Sequence, residues 1–250
     1  MKWIFFDLDD TLWNFSDNSI EALYKLYELS PLLRKLFKAE EEFIKIYHEN
    51  NALLWDLYAQ GQVTTKQLKT ERWRRTLALR QFEVLTADCE RLDETYLDIL
   101  AQGERKISGI DTLLEKLTTK CLIAILSNGF SKTQYKKLHF SGLEKFITRT
   151  IVSEEIGVNK PGKKIFDYAI RETGATSPFL MVGDHPTTDI LGAMKAGWHA
   201  IWFNPKGKSF PLSEPDLREN GVNPKLLLAN VATVEELGKA IFKFLEMEQN

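Results

Sequence analysis

The sequence predicts an α/β protein: a doubly wound, Rossmann-like parallel sheet core with an inserted all-helical cap subdomain. Three observations predict it. Short apolar runs bounded by turn residues recur along the chain, amphipathic stretches of helical period separate most of them, and one long interval has helical period and no strand-like run.

The first apolar run, residues 3–8, is short and suits a strand buried on both faces. From Phe15 to Gly103 the pattern changes: Ile20, Leu23, Leu26 and Tyr27, then Phe43, Ile46 and Tyr47, then Leu68, Trp73 and Leu77 recur at helical spacing. Thr64 and Gln67 stand at capping-box spacing, and Gly61 is placed to stop a preceding helix. Alternation then resumes, with helix at 110–119, strand at 121–126, helix at 132–141, strand at 149–152, helix at 163–173, strand at 179–182, helix at 187–196 and strand at 199–203. Residues 205–224, rich in Pro, Gly and Ser, predict a surface loop, and 226–229 a further strand. A closing helix at 233–247 opens with Thr233 and Glu236 at capping-box spacing. The expected domains are residues 1–14 with 104–250 as the α/β core and 15–103 as the cap. An insertion so early in the fold is expected to sit over the carboxyl ends of the sheet, where open α/β sheets bind ligands, and to admit only small substrates.

Composition narrows the function. The chain has 250 residues, 44% hydrophobic and 27% charged, with 33 basic and 35 acidic side chains and a net charge of −2. A chain of this size and apolar content builds a core without disulfide or metal, which excludes disorder as the main state. No basic excess is present to neutralise a polyphosphate backbone. Cys89 and Cys121 stand far apart without metal-ligand spacing, and the four histidines form no HExxH pair, which argues against a disulfide framework and the common zinc sites. The N-terminus reaches Asp7 before it can build a signal peptide, and no uncharged apolar run approaches membrane-spanning length. The expectation is a cytoplasmic protein, a monomer or small homo-oligomer, with neither nucleic acid polymer nor membrane as partner.

The chemistry gathers at strand ends. The first strand ends in Asp7-Leu8-Asp9-Asp10-Thr11, and the strand at 179–182 ends in Gly183-Asp184-His185-Pro186-Thr187-Thr188-Asp189. Two such ends side by side crowd carboxylates that repel one another without a cation, and an oxygen-only cluster suits Mg²⁺. Helix capping is the plainer role for Asp184 and Asp189. Ser127-Asn128-Gly129 offers a hydroxyl and backbone N–H groups to phosphate oxygens at a helix start, though the tripeptide is also a common turn. Lys160-Pro161-Gly162 opens the next helix. A lysine there is ordinarily solvated, but opposite several carboxylates it can neutralise nucleophile and phosphoryl group together.

In this order DLDDT, SNG, KP and GDHPTTD resemble the haloacid dehalogenase-like hydrolase superfamily over essentially the whole chain, with the helical insertion where members with a cap after the first motif carry it. At closer range SNGF, SEEIGVNKPGKKIFDYA and LWDLYAQGQVTT look like its pyrimidine-type 5′-nucleotidases. The resemblance implies a Mg²⁺-dependent phosphomonoester hydrolase for a small phosphorylated metabolite, with phosphate chemistry favoured over dehalogenation because Asp9 is present. It implies Asp7 as the nucleophile that forms an aspartyl-phosphate, and Asp9 as general acid/base, its proton retained by neighbouring negative charge. It implies Thr11, Ser127, Asn128 and Lys160 around the phosphate. Mg²⁺ falls to the Asp7 carboxylate, the Asp9 backbone carbonyl, Asp184 and, through a water, Asp189. Asp10 and His185 occupy variable positions and receive no role.

In the cap, Trp13, Phe15, Asn50, Asn51, Trp55, Tyr58, Arg72 and Trp73 can stack on a base or read its edge, with Asn51, Trp55 and Arg72 the chosen substrate candidates; packing of the cap itself is the competing role. Rival functions are a sugar-phosphate phosphatase or phosphosugar mutase of the same superfamily, and a phospho-accepting signalling module on a similar sheet.

Overall fold

A computed structural model describes residues 1–80 and 84–247. Six strands, β1 (Lys2–Phe6), β2 (Cys121–Ser127), β3 (Arg149–Val152), β4 (Leu180–Gly183), β5 (His199–Phe203) and β6 (Leu227–Val231), form one sheet in the order β3-β2-β1-β4-β5-β6 with every neighbour parallel. The fold is the doubly wound α/β core expected. Its strand order reverses direction at β1 and β4, the switch point beside which such sheets bind ligands. Ile4, Phe5 and Phe6 of β1 are fully buried, which is why this segment reads as an unbroken apolar run and lies in mid-sheet. On one face Phe5 packs its ring 4.7 Å from that of Trp198, beside Phe166, Ile190 and Met194.

Register places the chemistry. Phe6 pairs with Ile125 of β2 and Val182 of β4, so Asp7, Ser127 and Asp184 leave the sheet at the same edge. Asp7 N–H still bonds the Val182 carbonyl at 2.8 Å, which extends the ladder one residue past the strand.

Residues 15–103 form a separate compact unit, and residues 1–14 with 104–250 form the other. The helical unit holds α1 (Phe15–Leu29), α2 (Pro31–Leu36), α3 (Glu40–Ala59), α4 (Thr65–Ala78) and α5 (Thr86–Leu100), and no strand among the described residues. Thr64 and Gln67 close their capping box at the start of α4, and Gly61 takes a left-handed φ of 72° just after α3. Phe43, Tyr47, Trp73 and Tyr96 pack ring against ring at its centre, Tyr47 and Trp73 at 4.5 Å.

The sheet-bearing unit adds α6 (Ile110–Thr118), α7 (Ser131–Phe140), α8 (Ser153–Ile156), α9 (Lys163–Thr173), α10 (Gly192–Lys195), α11 (Glu214–Glu219) and α12 (Val234–Glu246), the last opened by the Thr233/Glu236 capping box. Two expectations are corrected. The loop predicted at 205–224 contains α11, started by a Ser213/Asp216 capping box with a proline in its first turn. The helix predicted at 187–196 begins instead as a wide π-type turn, Pro186–Leu191, in which Ile190 N–H bonds the His185 carbonyl at 3.3 Å before α10 takes over. Among the described residues no helix is long and apolar enough to cross a membrane.

Candidate active site

Asp7 and Asp9 are two residues apart and would share a face if β1 continued. It does not. The N–H groups of Leu12 and Trp13 both bond the Leu8 carbonyl, at 3.0 and 2.9 Å, and Asp10 takes a left-handed φ of 54°. The chain therefore coils into a tight loop, and the two carboxylates meet different partners.

Asp7 joins Asp184 and Asp189, one carboxylate oxygen of each lying within 4.8 Å of the others. Lys160, 1% exposed, reaches into this group: its Nζ donates to Asp7 Oδ1 at 2.6 Å and to the Leu126 carbonyl at 2.6 Å, and stands 2.7 Å from Asp189 Oδ1. These contacts use all three ammonium protons. Asp189 is held further by the His185 N–H at 3.0 Å, and the Trp202 indole N–H donates to the Asp184 carbonyl at 2.8 Å. The π-type turn after β4 thus turns Asp189 back beneath Gly183, where a Cβ would lie 2.3 Å from Asp189 Oδ2. His185 Nδ1 accepts from Thr187 and Thr188 N–H, so His185 caps this segment.

One ammonium cannot neutralise three clustered acids, two of them buried and Asp184 partly exposed. Burial pushes the Asp7 carboxyl up to about 7, with the Asp189 and Asp9 charges adding to the effect and Lys160 opposing it. Burial, then Asp189 and Asp7, raise Asp184 well above the ordinary carboxylate range. The donor set is all oxygen, anionic and short of positive charge, which fits a hard divalent cation.

Asp9 has other neighbours. Lys137 Nζ donates to its Oδ1 at 2.7 Å and Gln134 Nε2 to its Oδ2 at 2.9 Å. The side chains hydrogen-bonded to Asp9 are thus a cation and an amide, while the Asp7 carboxylate also lies near enough for the two charges to act on each other. Gln134 Nε2 also donates to Ser127 Oγ at 2.6 Å. Gln134, Lys137 and Glu154 were missed by the sequence reading. A polar pair at i,i+3 spacing just after an acid-facing strand end is the signal that could have found the first two.

Ser127 Oγ also accepts the Gly129 N–H at 3.1 Å, and the Ser131 N–H at the start of α7 is taken by Glu154 at 2.7 Å. Fewer backbone donors face a phosphate here than the SNG turn suggests. Asn128 uses its side chain on the Lys160 backbone, accepting its N–H and donating to its carbonyl, both at 2.8 Å, so it aligns the lysine. Thr11 is fully buried and its hydroxyl has no hydrogen-bond partner.

The substrate candidates separate. Arg72 and Asn51 are buried inside the helical unit: Arg72 Nε and Nη2 bond Asp93 Oδ1 at 2.8 and 2.5 Å, and its Nη1 bonds Asn51 Oδ1 at 3.2 Å. The expectation that these two meet a substrate is therefore corrected, because their polar atoms serve the unit's own core. Trp73 donates to the same Asp93 oxygen at 2.9 Å, Asn50 bonds the Ile46 carbonyl at 3.0 Å, and Tyr58 bonds Thr65 at 3.2 Å. Trp13, fully buried, lies under Lys137 Nζ, 4.5 Å from its ring centroid. Trp55 stays half-buried, with its ring edge on Tyr58 at 5.6 Å.

A parallel sheet with an acidic cluster and a buried lysine at its switch point is the kind of place where open α/β sheets bind ligands. Comparison with known proteins gives the class. The family profile of the haloacid dehalogenase-like hydrolases matches residues 1–197. The chain is 32% identical over 238 residues to the pyrimidine 5′-nucleotidase YjjG of Escherichia coli, covering 94% of this chain and 96% of that one. It is 28% identical over 208 residues to the pyrimidine 5′-nucleotidase PynA of Streptococcus pneumoniae, covering 82% and 84%. The crystal structure of YfnB from Bacillus subtilis bound to magnesium superposes with a TM-score of 0.80 at 27% identity over 98% of this chain and 99% of that one. The chain belongs to the haloacid dehalogenase-like hydrolase family and is an enzyme of it, with phosphatases and 5′-nucleotidases among its relatives.

Proposed function

We propose that the enzyme is a Mg²⁺-dependent phosphomonoester hydrolase that works through an aspartyl-phosphate on Asp7 and takes a nucleoside 5′-monophosphate. The observation that carries the mechanism is the division of the two acids: Asp7 in the carboxylate and lysine cluster, Asp9 on Gln134 and Lys137 outside it. An Asp7 oxygen attacks phosphorus, the bond from phosphorus to the leaving oxygen breaks, and that oxygen takes a proton from Asp9. Asp9 then takes a proton from water, whose oxygen attacks the aspartyl-phosphate, releasing inorganic phosphate and restoring Asp7. Lys160 holds Asp7 in place and offsets charge on the phosphoryl group, while Ser127 donates to a phosphoryl oxygen. Mg²⁺ on Asp7, Asp184 and the Asp9 carbonyl, backed by Asp189, would supply the charge that keeps Asp7 ionised and polarises the phosphoryl group.

The substrate reading is supported by the two pyrimidine 5′-nucleotidases among the relatives and by the string LWDLYAQGQVTT. Trp55, a half-buried aromatic of the helical unit, is the side chain assigned to the base. The test is kcat/KM for uridine 5′-monophosphate against ribose 5-phosphate, by phosphate release with Mg²⁺. A fall of about tenfold or more on removing the base, one well-packed contact's worth, is expected. Equal values would assign a sugar-phosphate phosphatase, and sugar-phosphate interconversion without phosphate release a mutase.

A further inference from the structure

Helix α7 is built inside out. It exposes Tyr135 and Phe140, each 45% accessible, and buries Thr133, Gln134, Lys137 and Leu138. An amphipathic helix ordinarily does the reverse. A buried ammonium is strongly unfavourable unless paired, so what Lys137 touches explains why it is there. It touches Asp9 Oδ1 and the Trp13 ring, while Gln134, fully buried one turn earlier, spans Asp9 Oδ2 and Ser127 Oγ with its one amide nitrogen.

The amide orientation follows from its neighbours. Gln134 Oε1 is buried without a partner. Turning the amide over would set that oxygen against the Asp9 carboxylate, so an unbonded carbonyl is the lesser cost of keeping both N–H groups on Asp9 and Ser127. Gly129 makes room for this: a Cβ there would stand 2.4 Å from Gln134 Nε2. Ser127 Oγ accepts from Gln134 and from the Gly129 N–H, which leaves its own proton to donate.

We propose that Gln134 and Lys137 are positioning residues that hold Asp9 by both carboxylate oxygens and tie it to Ser127, so that the proton-transfer group and the phosphate-binding hydroxyl keep one fixed spacing. The proposal rests on the Asp9 role given above. A displacement of about 1 Å in such a group costs on the order of 100-fold in rate, which sets the effect to look for.

The experiment measures single-turnover phosphorylation with uridine 5′-monophosphate, whose leaving oxygen needs a proton, and with p-nitrophenyl phosphate, whose leaving group does not. Lys137→Met and Gln134→Met are each expected to slow the nucleotide reaction by about 10- to 100-fold and the aryl reaction by less than about threefold. Lys137→Arg, which keeps the charge and a donor, is expected to recover most of the loss. Gln134→Met introduces no uncompensated charge, so it carries the same test should Lys137→Met not fold. Asp9→Asn, run beside them, must show the same leaving-group split. If Asp9→Asn shows the split and the folded Lys137 and Gln134 variants show none, or lose both reactions equally, the positioning role is overturned and the hydrolase mechanism stands. If Asp9→Asn itself shows no split, the acid role fails and the positioning role fails with it.

Discussion

Lys160 Nζ stands 2.6 Å from Asp7 Oδ1, a buried contact between residues 153 positions apart in the chain. The same nitrogen lies 2.7 Å from Asp189, so one ammonium serves two carboxylates while Asp184 completes the acid group. Lys160 is held charged by Asp189 and Asp7 despite its burial. The group nonetheless remains short of positive charge, and its behaviour should follow pH and metal in a defined direction.

Asp7→Asn should abolish turnover and raise metal-free stability in alkaline conditions. The Asp7 carboxyl titrates near 7 in the fold against an ordinary 3.8. Between those values the folded state holds a proton that the unfolded chain has lost, so wild-type stability falls as pH rises from about 4 to about 7 and stays lower above it. The variant lacks this loss. Melting temperatures in chelator should show Asp7→Asn gaining on wild type between pH 5 and pH 8, and a gap that narrows as pH rises would contradict the raised pKa.

Mg²⁺ should stabilise the protein more at pH 8 than at pH 5.5, because its carboxylate ligands must first lose their protons. At a hundredfold excess over Kd the gain is about 2.7 kcal/mol, or about 5–10 °C for a chain of this size. Chelation should stop phosphate release and added Mg²⁺ restore it. A melting temperature indifferent to Mg²⁺ at both pH values would reject the cation site.

Gly183→Ala should impair metal binding more than folding. The new Cβ would fall 2.3 Å from Asp189 Oδ2 and 2.5 Å from its Cβ, so Asp189 must move off Lys160 and the His185 N–H. Loss of a supporting shell typically costs about 10- to 100-fold in metal affinity. Mg²⁺ titration followed by melting temperature measures it, and unchanged affinity would show that Asp189 does not act on the site.

The central strands were legible because they are buried on both faces and read as short apolar runs, from Ile4-Phe5-Phe6 to Ala200-Ile201-Trp202. Asp7, Lys160, Asp184 and Asp189 were legible because strand ends and helix starts fix their place in the chain. Gln134 and Lys137 were not, since nothing in the periodicity of α7 says that its polar face is the buried one. Helix α11 was masked by Pro and Ser, which favour loops and helix starts alike, and only the Ser213/Asp216 pair distinguishes the two. Arg72 and Asn51 misled for a related reason: polar side chains in a cap suggest a ligand, yet Asp93 and Asn51 Oδ1 were there to receive the Arg72 guanidinium.

That network gives the last prediction. Asp93 Oδ1 accepts from Arg72 Nε and Nη2 and from the Trp73 indole, all within the buried core of the helical unit. Asp93→Asn leaves the Arg72 charge buried and uncompensated, a change that costs about 3–5 kcal/mol. Replacing both partners by apolar side chains of similar volume removes the stranded charge, so Arg72→Met with Asp93→Leu should recover part of the loss, the remainder reflecting the Asn51 and Trp73 polar groups left without partners. Thermal melts of the single and double variants measure the stability ordering. The double variant, once folded, should keep KM for uridine 5′-monophosphate within about threefold of wild type, under about 0.7 kcal/mol. A folded double variant whose KM rises tenfold or more would return Arg72 to the substrate and reject its assignment to the core of the helical unit.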